Sequence, residues 1–282
     1  MNFANEKSVT MTRCLILFEK TLKYTNKEME GNMQINYRTI RYDSWQAFKN
    51  RYCADLFDGD FVFGKYIFRG QGNAKWDLVT SFDRIYGSRS NSARKTIENE
   101  LIAAFCTNCD RHVKSHYKFS EMKMFEKMSL AQHYGVPTRL LDWSYSPFIS
   151  AYFAFRYSDD YSKDNCIAIW ALNKEHDIWN DKGVSIEECV GLDNEHQKRQ
   201  LGCFTMLKSP AKSINSFVNM CFDSGEDVTG ALTKIEIPAS DFKTALHELE
   251  GMNISASTIF GGFQGCAEAA HDLISLKYNG SI

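Results

Sequence analysis

Apolar positions recur at three- and four-residue spacing over residues 44–56, as Trp45, Phe48, Tyr52 and Leu56, behind a serine at position 44. That period predicts a helix with Ser44 as its N-cap. Alternation over residues 34–40 predicts a half-buried strand, and the aromatic-rich run 61–68 predicts a strand or strand pair that delivers Arg69 at its end. A short extended segment is expected over 76–82, then a long helix opening at Ser92 and a helix over 122–133 stopped by Gly135 and Pro137. Ser146 followed by Pro147 predicts a helix start, because serine caps the first turn and proline there forfeits only an amide that has no partner. The continuous apolar run 166–172 reads as a buried strand; further strands are expected over 203–207 and 232–237, and helices over 240–250 and 264–276. Residues 193–200 are too polar to assign. The fold class expected is α+β, a mixed sheet core with helices concentrated in the N-terminal half.

Two features bear on organisation. An amphipathic stretch over 14–22 and a polar run over 25–32 precede the first strand, so residues 1–34 read as a lead-in with helical character to one domain over 35–282. With 282 residues, 44% of them hydrophobic, the chain has enough apolar material for a large core. Lys plus Arg number 33 against 35 for Asp plus Glu, which excludes a global basic field; any contact with nucleic acid must be local. Nine cysteines at irregular spacing, with no leader pattern, are expected to be reduced thiols of a cytoplasmic protein. Cys106-x-x-Cys109-x-x-His112 is half a metal motif and reads equally well as a helix end, so no metal is expected. No apolar run approaches the ~20 residues of a membrane span.

The candidate chemistry lies in the run Gln132-His133-Tyr134-Gly135-Val136-Pro137-Thr138-Arg139-Leu140-Leu141-Asp142-Trp143-Ser144 and, far upstream, in Phe68-Arg69-Gly70-Gln71. An amide, an imidazole, a phenol, a hydroxyl, a guanidinium and a carboxylate set among apolar residues each need a partner if buried, which points to a site. Arg69 beside a glycine suits capture of a phosphate or carboxylate; it equally suits an internal ion pair, with Asp142 as the partner at hand. His133 alone reads as a satisfied histidine and Trp143 alone as core, but together with Thr138, Arg139 and Asp142 they lead into a helix N-terminus that favours anions. Gln200-x-Gly202-x-Phe204 brings a charged loop into a strand, where Gln200 or Glu195 can reach a cleft.

These residues resemble the FRG domain, named for the Phe-Arg-Gly motif that stands here as Phe68-Arg69-Gly70. The resemblance runs on through Gln71 and Trp76, the 132–144 segment, Ala151-Tyr152-Phe153-Ala154, Arg199-Gln200-Leu201-Gly202-Cys203-Phe204 and Thr258-Ile259-Phe260. The acidic step usual after the last of these is replaced by Gly261-Gly262-Phe263. A more distant likeness is to the NAD-binding core of ADP-ribosyltransferases, where an Arg or His after the first strand holds NAD, a Ser/Thr motif shapes the nicotinamide pocket, and a Glu on a later strand directs transfer. Carried over, the resemblance implies Arg69 at the first position, Asp142 to Ser144 near the second and Gln200 near the third, with Glu195 the nearest glutamate. The NAD-binding residues it implies are Arg69, Gly70, Gln71, Gln132, His133, Tyr134, Thr138, Arg139, Trp143 and Ser144.

The function expected on that basis is transfer of ADP-ribose from NAD to a macromolecular acceptor, protein or nucleic acid (RNA or DNA). FRG domains resemble occupants of bacterial conflict and phage-defence systems, which implies a toxin with an antitoxin partner; no membrane association is expected, on the short apolar runs alone. The alternative is a non-catalytic module that binds a nucleotide or nucleic acid in the same cleft. A hydrolase built on His133 and Asp142 is a third reading, since acid–base work needs only two suitable groups in reach.

Overall fold

The structure is a computed structural model, and it describes residues 36–57, 62–113, 118–179, 183–188 and 199–278. The strands are β1 (Arg38–Arg41), β2 (Tyr66–Gln71), β3 (Leu140–Ser144), β4 (Cys166–Asn173), β5 (Val184–Glu188), β6 (Gly202–Leu207) and β7 (Leu232–Pro238). The helices are α1 (Trp45–Phe57), α2 (Ser81–Tyr86), α3 (Asn91–His112), α4 (Met124–His133), α5 (Pro147–Arg156), α6 (Ile214–Asp223), α7 (Phe242–Gly251), α8 (Ala256–Phe260) and α9 (Gly262–Tyr278). This is the expected α+β class. The chain divides into two compact units, one holding Val79–Leu141 and Pro210–Ser213, the other holding Ile35–Leu78, Asp142–Ser209 and Ile214–Ile282.

The larger unit is organised by a seven-stranded mixed sheet of order β1-β7-β4-β2-β3-β6-β5. β4 is its axis, antiparallel to β2 on one side and to β7 on the other, while β1 joins β7 in parallel. Residues on one face of these strands, Phe68, Ile167, Ile169, Ala171, Ile235 and Ile237, meet Trp45 and Phe48 of α1, Ala151, Ala154 and Phe155 of α5, and Ala245 and Leu249 of α7. Strand alternation places every second residue on that face, so the continuous apolar run of β4 reflects burial of both faces. The α1 and α5 starts are built as their sequences require: Ser44 Oγ accepts from the Ala47 amide at 3.1 Å and Ser146 Oγ from the Ile149 amide at 3.2 Å. The C-terminal helix α9 is held by Arg156, which donates from Nε to Asp272 at 2.6 Å and from Nη2 to Glu268 at 2.5 Å.

The smaller unit is knit by a buried charge cluster. Asp83 accepts from Arg94 Nη1 at 2.7 Å and from Arg139 Nε at 3.3 Å, and the Thr80 hydroxyl donates to the same carboxylate at 2.8 Å. Arg94 reaches on with Nη2 to the Pro210 carbonyl at 2.7 Å. The Asp83 side chain is wholly buried, which is tolerable only because each oxygen is met by a cation.

Several expectations are corrected. The 61–68 strand begins at Tyr66, after a turn over residues 63–65 in which Gly64 adopts φ +88°, and it continues through Gln71, so Arg69 lies inside the strand and not at its end. Residues 76–80 are irregular, and Ser81–Tyr86 is a helix because Thr80 caps it, accepting from the Asp83 amide. The long helix starts at Asn91 with Ser90 as cap, in place of Ser92. Strands β3 and β5 had no periodic signature of sufficient length to be predicted, whereas helix α6 was overlooked although Ile214, Phe217, Val218 and Cys221 recur at helical spacing.

Candidate functional site

The centre of the larger unit is the pair β2 and β3. Phe68 pairs with Ser144, and two residues back along β3 the Asp142 carbonyl accepts from Arg69 Nη1 at 2.6 Å. The Asp142 carboxylate stands 3.9 Å from the same nitrogen; the Arg69 side chain is 17% exposed and that of Asp142 57%. The ion pair weighed from sequence is therefore present, but loose. Arg69 Nε is buried and has no hydrogen-bond partner among the described residues. Burial pushes the guanidinium pKa down from its ordinary value, and the nearby Asp142 charge opposes that. Nε is out of a ligand's reach, so an anion would meet the guanidinium at the part of the side chain that stays exposed.

The neighbours of Arg69 are committed to structure. A Cβ at Gly70 would meet the Ser150 carbonyl oxygen at 1.9 Å and the Ala154 nitrogen at 2.8 Å, so the space beside this glycine is filled by the backbone of α5. The Gln71 amide donates to the Asp77 carbonyl at 3.0 Å, and its oxygen accepts from Trp170 Nε1 at 2.6 Å. Trp170 lies opposite Arg69 in the β2–β4 register, which sets an indole beside the guanidinium on the face away from α5. Trp143 is 3% exposed and donates from Nε1 to Thr205 Oγ1 at 2.8 Å. Ser144 Oγ donates to the Gln200 carbonyl at 2.7 Å and accepts from the Ser146 amide at 3.1 Å, while the Tyr145 amide bonds the Leu201 carbonyl at 2.9 Å. The 199–202 turn is thus tied by its main chain to the end of β3, which brings Gln200 to the Ser144 end of the β2–β3 pair. Glu195 lies outside the described residues.

Gln132, His133, Tyr134, Thr138 and Arg139 belong to the smaller unit. Thr138 Oγ1 donates to Gln132 Oε1 and accepts from the Leu140 amide, so this pair braces the turn after α4. Arg139 is spent on Asp83. The His133 and Tyr134 rings meet edge to face at 5.0 Å, with Tyr134 47% exposed. Cys106 and Cys109 lie on α3, where burial pushes both thiols up, and no group of three or more His, Cys, Asp or Glu among the described residues could hold a metal.

One cluster was not anticipated. Tyr145 Oη donates to Glu188 Oε1 at 2.7 Å, and Lys174 Nζ lies 2.7 Å from the phenol oxygen and 3.3 Å from the same carboxylate oxygen. Three strand ends meet here, so no stretch of sequence carries the pattern; the only clue was that Tyr145 follows Ser144 directly.

Residues 64–163 match the family model described as the FRG domain, which bears out the resemblance over the strand of Arg69, the 132–144 segment and α5. No curated protein matches the chain, and no solved structure does. Among the described residues no helix is long and apolar enough to cross a membrane.

Proposed function

We propose that this chain is an ADP-ribosyltransferase that takes NAD as substrate and passes ADP-ribose to a macromolecular acceptor. The observation that carries the reading is Arg69: a largely buried guanidinium, anchored through one nitrogen to the Asp142 carbonyl, with the rest of its outer edge reaching solvent. Such a group is suited to a pyrophosphate, whose oxygens can take the remaining donors in a low-dielectric setting where charge-assisted bonds are strong. NAD supplies the chemistry, since its nicotinamide is a ready leaving group from the ribose. The protein would hold the phosphates at Arg69, with Asp142 fixing the guanidinium, while the Ser144-tethered Gln200 turn borders the acceptor side. Most of the acceleration would then come from positioning and from electrostatic stabilisation of the separating charges.

The toxin role expected from the family context belongs to the same proposal. Inducing the intact chain should slow bacterial growth and Arg69→Ala should restore it; equal growth of both cultures would count against that role. The transferase itself is tested by incubating the purified chain with adenylate-labelled NAD, cell protein and RNA, then digesting any labelled product separately with protease and nuclease. Label that vanishes in Arg69→Ala supports the enzyme, and its digestion behaviour identifies the acceptor. No label from folded protein that still binds nucleotide would favour the non-catalytic binding module, a reading to which the commitment of Gly70, Gln71, Trp143 and Ser144 to packing and hydrogen bonds lends weight.

A further inference from the structure

Helix α9 turns its acidic side chains toward the protein and its large apolar ones toward solvent. Its inward positions, Gly265, Glu268, Asp272 and Leu276, recur at three- and four-residue spacing. Asp272 accepts from Tyr152 Oη and from Arg156 Nε, both at 2.6 Å, Glu268 is bonded by the same arginine, and Leu276 packs against the core. The outward positions keep that spacing on the opposite side. Phe263 is 94% exposed, Leu273 67% and Ile274 54%, and between them stand only the small, exposed Cys266, Ala267 and Ala270. A surface helix in water normally shows the reverse arrangement. Single exposed apolar residues need no explanation, but a continuous stripe of them marks a contact. Nor can the helix roll to hide the stripe. Rolling would strip Arg156, whose side chain is 6% exposed, of both its carboxylates.

We infer that α9 is the interface of a homodimer, in which it pairs antiparallel with α9 of a second copy about a two-fold axis at Ala270. Reversed, the stripe is complementary to itself, as an interface between identical copies requires. Leu273 and Ile274 of one copy fall over Ala267 and Cys266 of the other, and Ala270 meets its own counterpart at the crossing, where small side chains let the helices approach closely. A parallel pairing would instead set large residue on large and small on small, leaving a gap at the centre. Phe263 and Tyr278, 94% and 54% exposed, offer about 300 Å² together. Leu273 and Ile274 take one copy toward the ~500 Å² per partner that a specific interface needs, so the dimer is small and reversible. Through Tyr152 and Arg156, α9 sits on α5, which covers the sheet face opposite Arg69. The pairing therefore leaves the Arg69 face open, and it does not depend on the transferase reading.

The test is sedimentation velocity of the full chain over about 1–100 µM, the range in which an interface of so small an area associates. The wild-type protein should pass from monomer to dimer across that range. Ile274→Glu should weaken the dimer at least about tenfold, because each copy would press an unpaired carboxylate against the apolar face of the other. Ala270→Trp enlarges the apolar surface yet should also break the dimer, since it fills the crossing point. Both positions are exposed, so the urea midpoint of each variant, taken at low protein concentration, should match that of the parent. A dimer that survives Ile274→Glu, or one strengthened by Ala270→Trp, would be unspecific adhesion and would overturn the pairing. A monomer at every concentration would overturn it too. Reaction of that monomer with a maleimide then names the occupant: a protected Cys266 assigns the face to residues 1–34 of the same chain, a reactive one to a different protein.

Discussion

A single arginine bears most of the functional weight, and the glycine after it bears most of the structural weight. Arg69 and Gly70 are consecutive residues of one strand, so their side-chain positions point to opposite faces. On one face the guanidinium is nearly buried with an unmatched Nε; on the other the α5 backbone comes so close that a Cβ would fall 1.9 Å from the Ser150 oxygen. Gly70→Ala should therefore destabilise the protein by about 1–3 kcal/mol through overpacking, read as a lower urea midpoint at unchanged slope. An unchanged midpoint would mean that α5 moves away freely. Arg69→Ala, by contrast, removes a side chain with a single strong bond and should leave the midpoint close to that of the parent.

At the scale of elements, the caps at Ser44 and Ser146 and five of the seven strands were legible, while β3 and β5 were not. Ser44, Ser146 and Pro147 mark their helices because capping is a local interaction, and β4 announces itself by burial on both faces. β3 is only five residues with an exposed Asp142 at its middle, and β5 has intermediate burial, so neither has a clean period. For the same reason the 132–144 segment looked like one site, whereas Thr138 and Arg139 turn out to brace the smaller unit. That unit should depend heavily on its charge cluster: Asp83→Ala leaves two nearly buried guanidinium groups unpaired and should cost about 3–5 kcal/mol, as a urea titration would show. A loss below roughly 1 kcal/mol, the range of exposed pairs, would mean that Arg94 and Arg139 find water or other partners. Ser146→Ala should cost about 1 kcal/mol by the same measurement, since it removes the cap of α5.

For the molecule as a whole, the near balance of 33 basic and 35 acidic residues leaves function to local geometry. It also shapes the response to pH. Glu188 is held below its ordinary value, so the stability it contributes is present above the unfolded carboxylate pKa and is lost as pH falls through the folded one. The central claim is that Arg69 is an anion anchor for NAD. It is tested most directly by calorimetric titration of NAD, and of nicotinamide riboside, which lacks the pyrophosphate, into the parent and Arg69→Ala proteins. Loss of a charge-assisted bond predicts about 10- to 100-fold weaker NAD binding in the variant, with riboside binding the same in both. Equal NAD affinity in the two proteins would contradict the account.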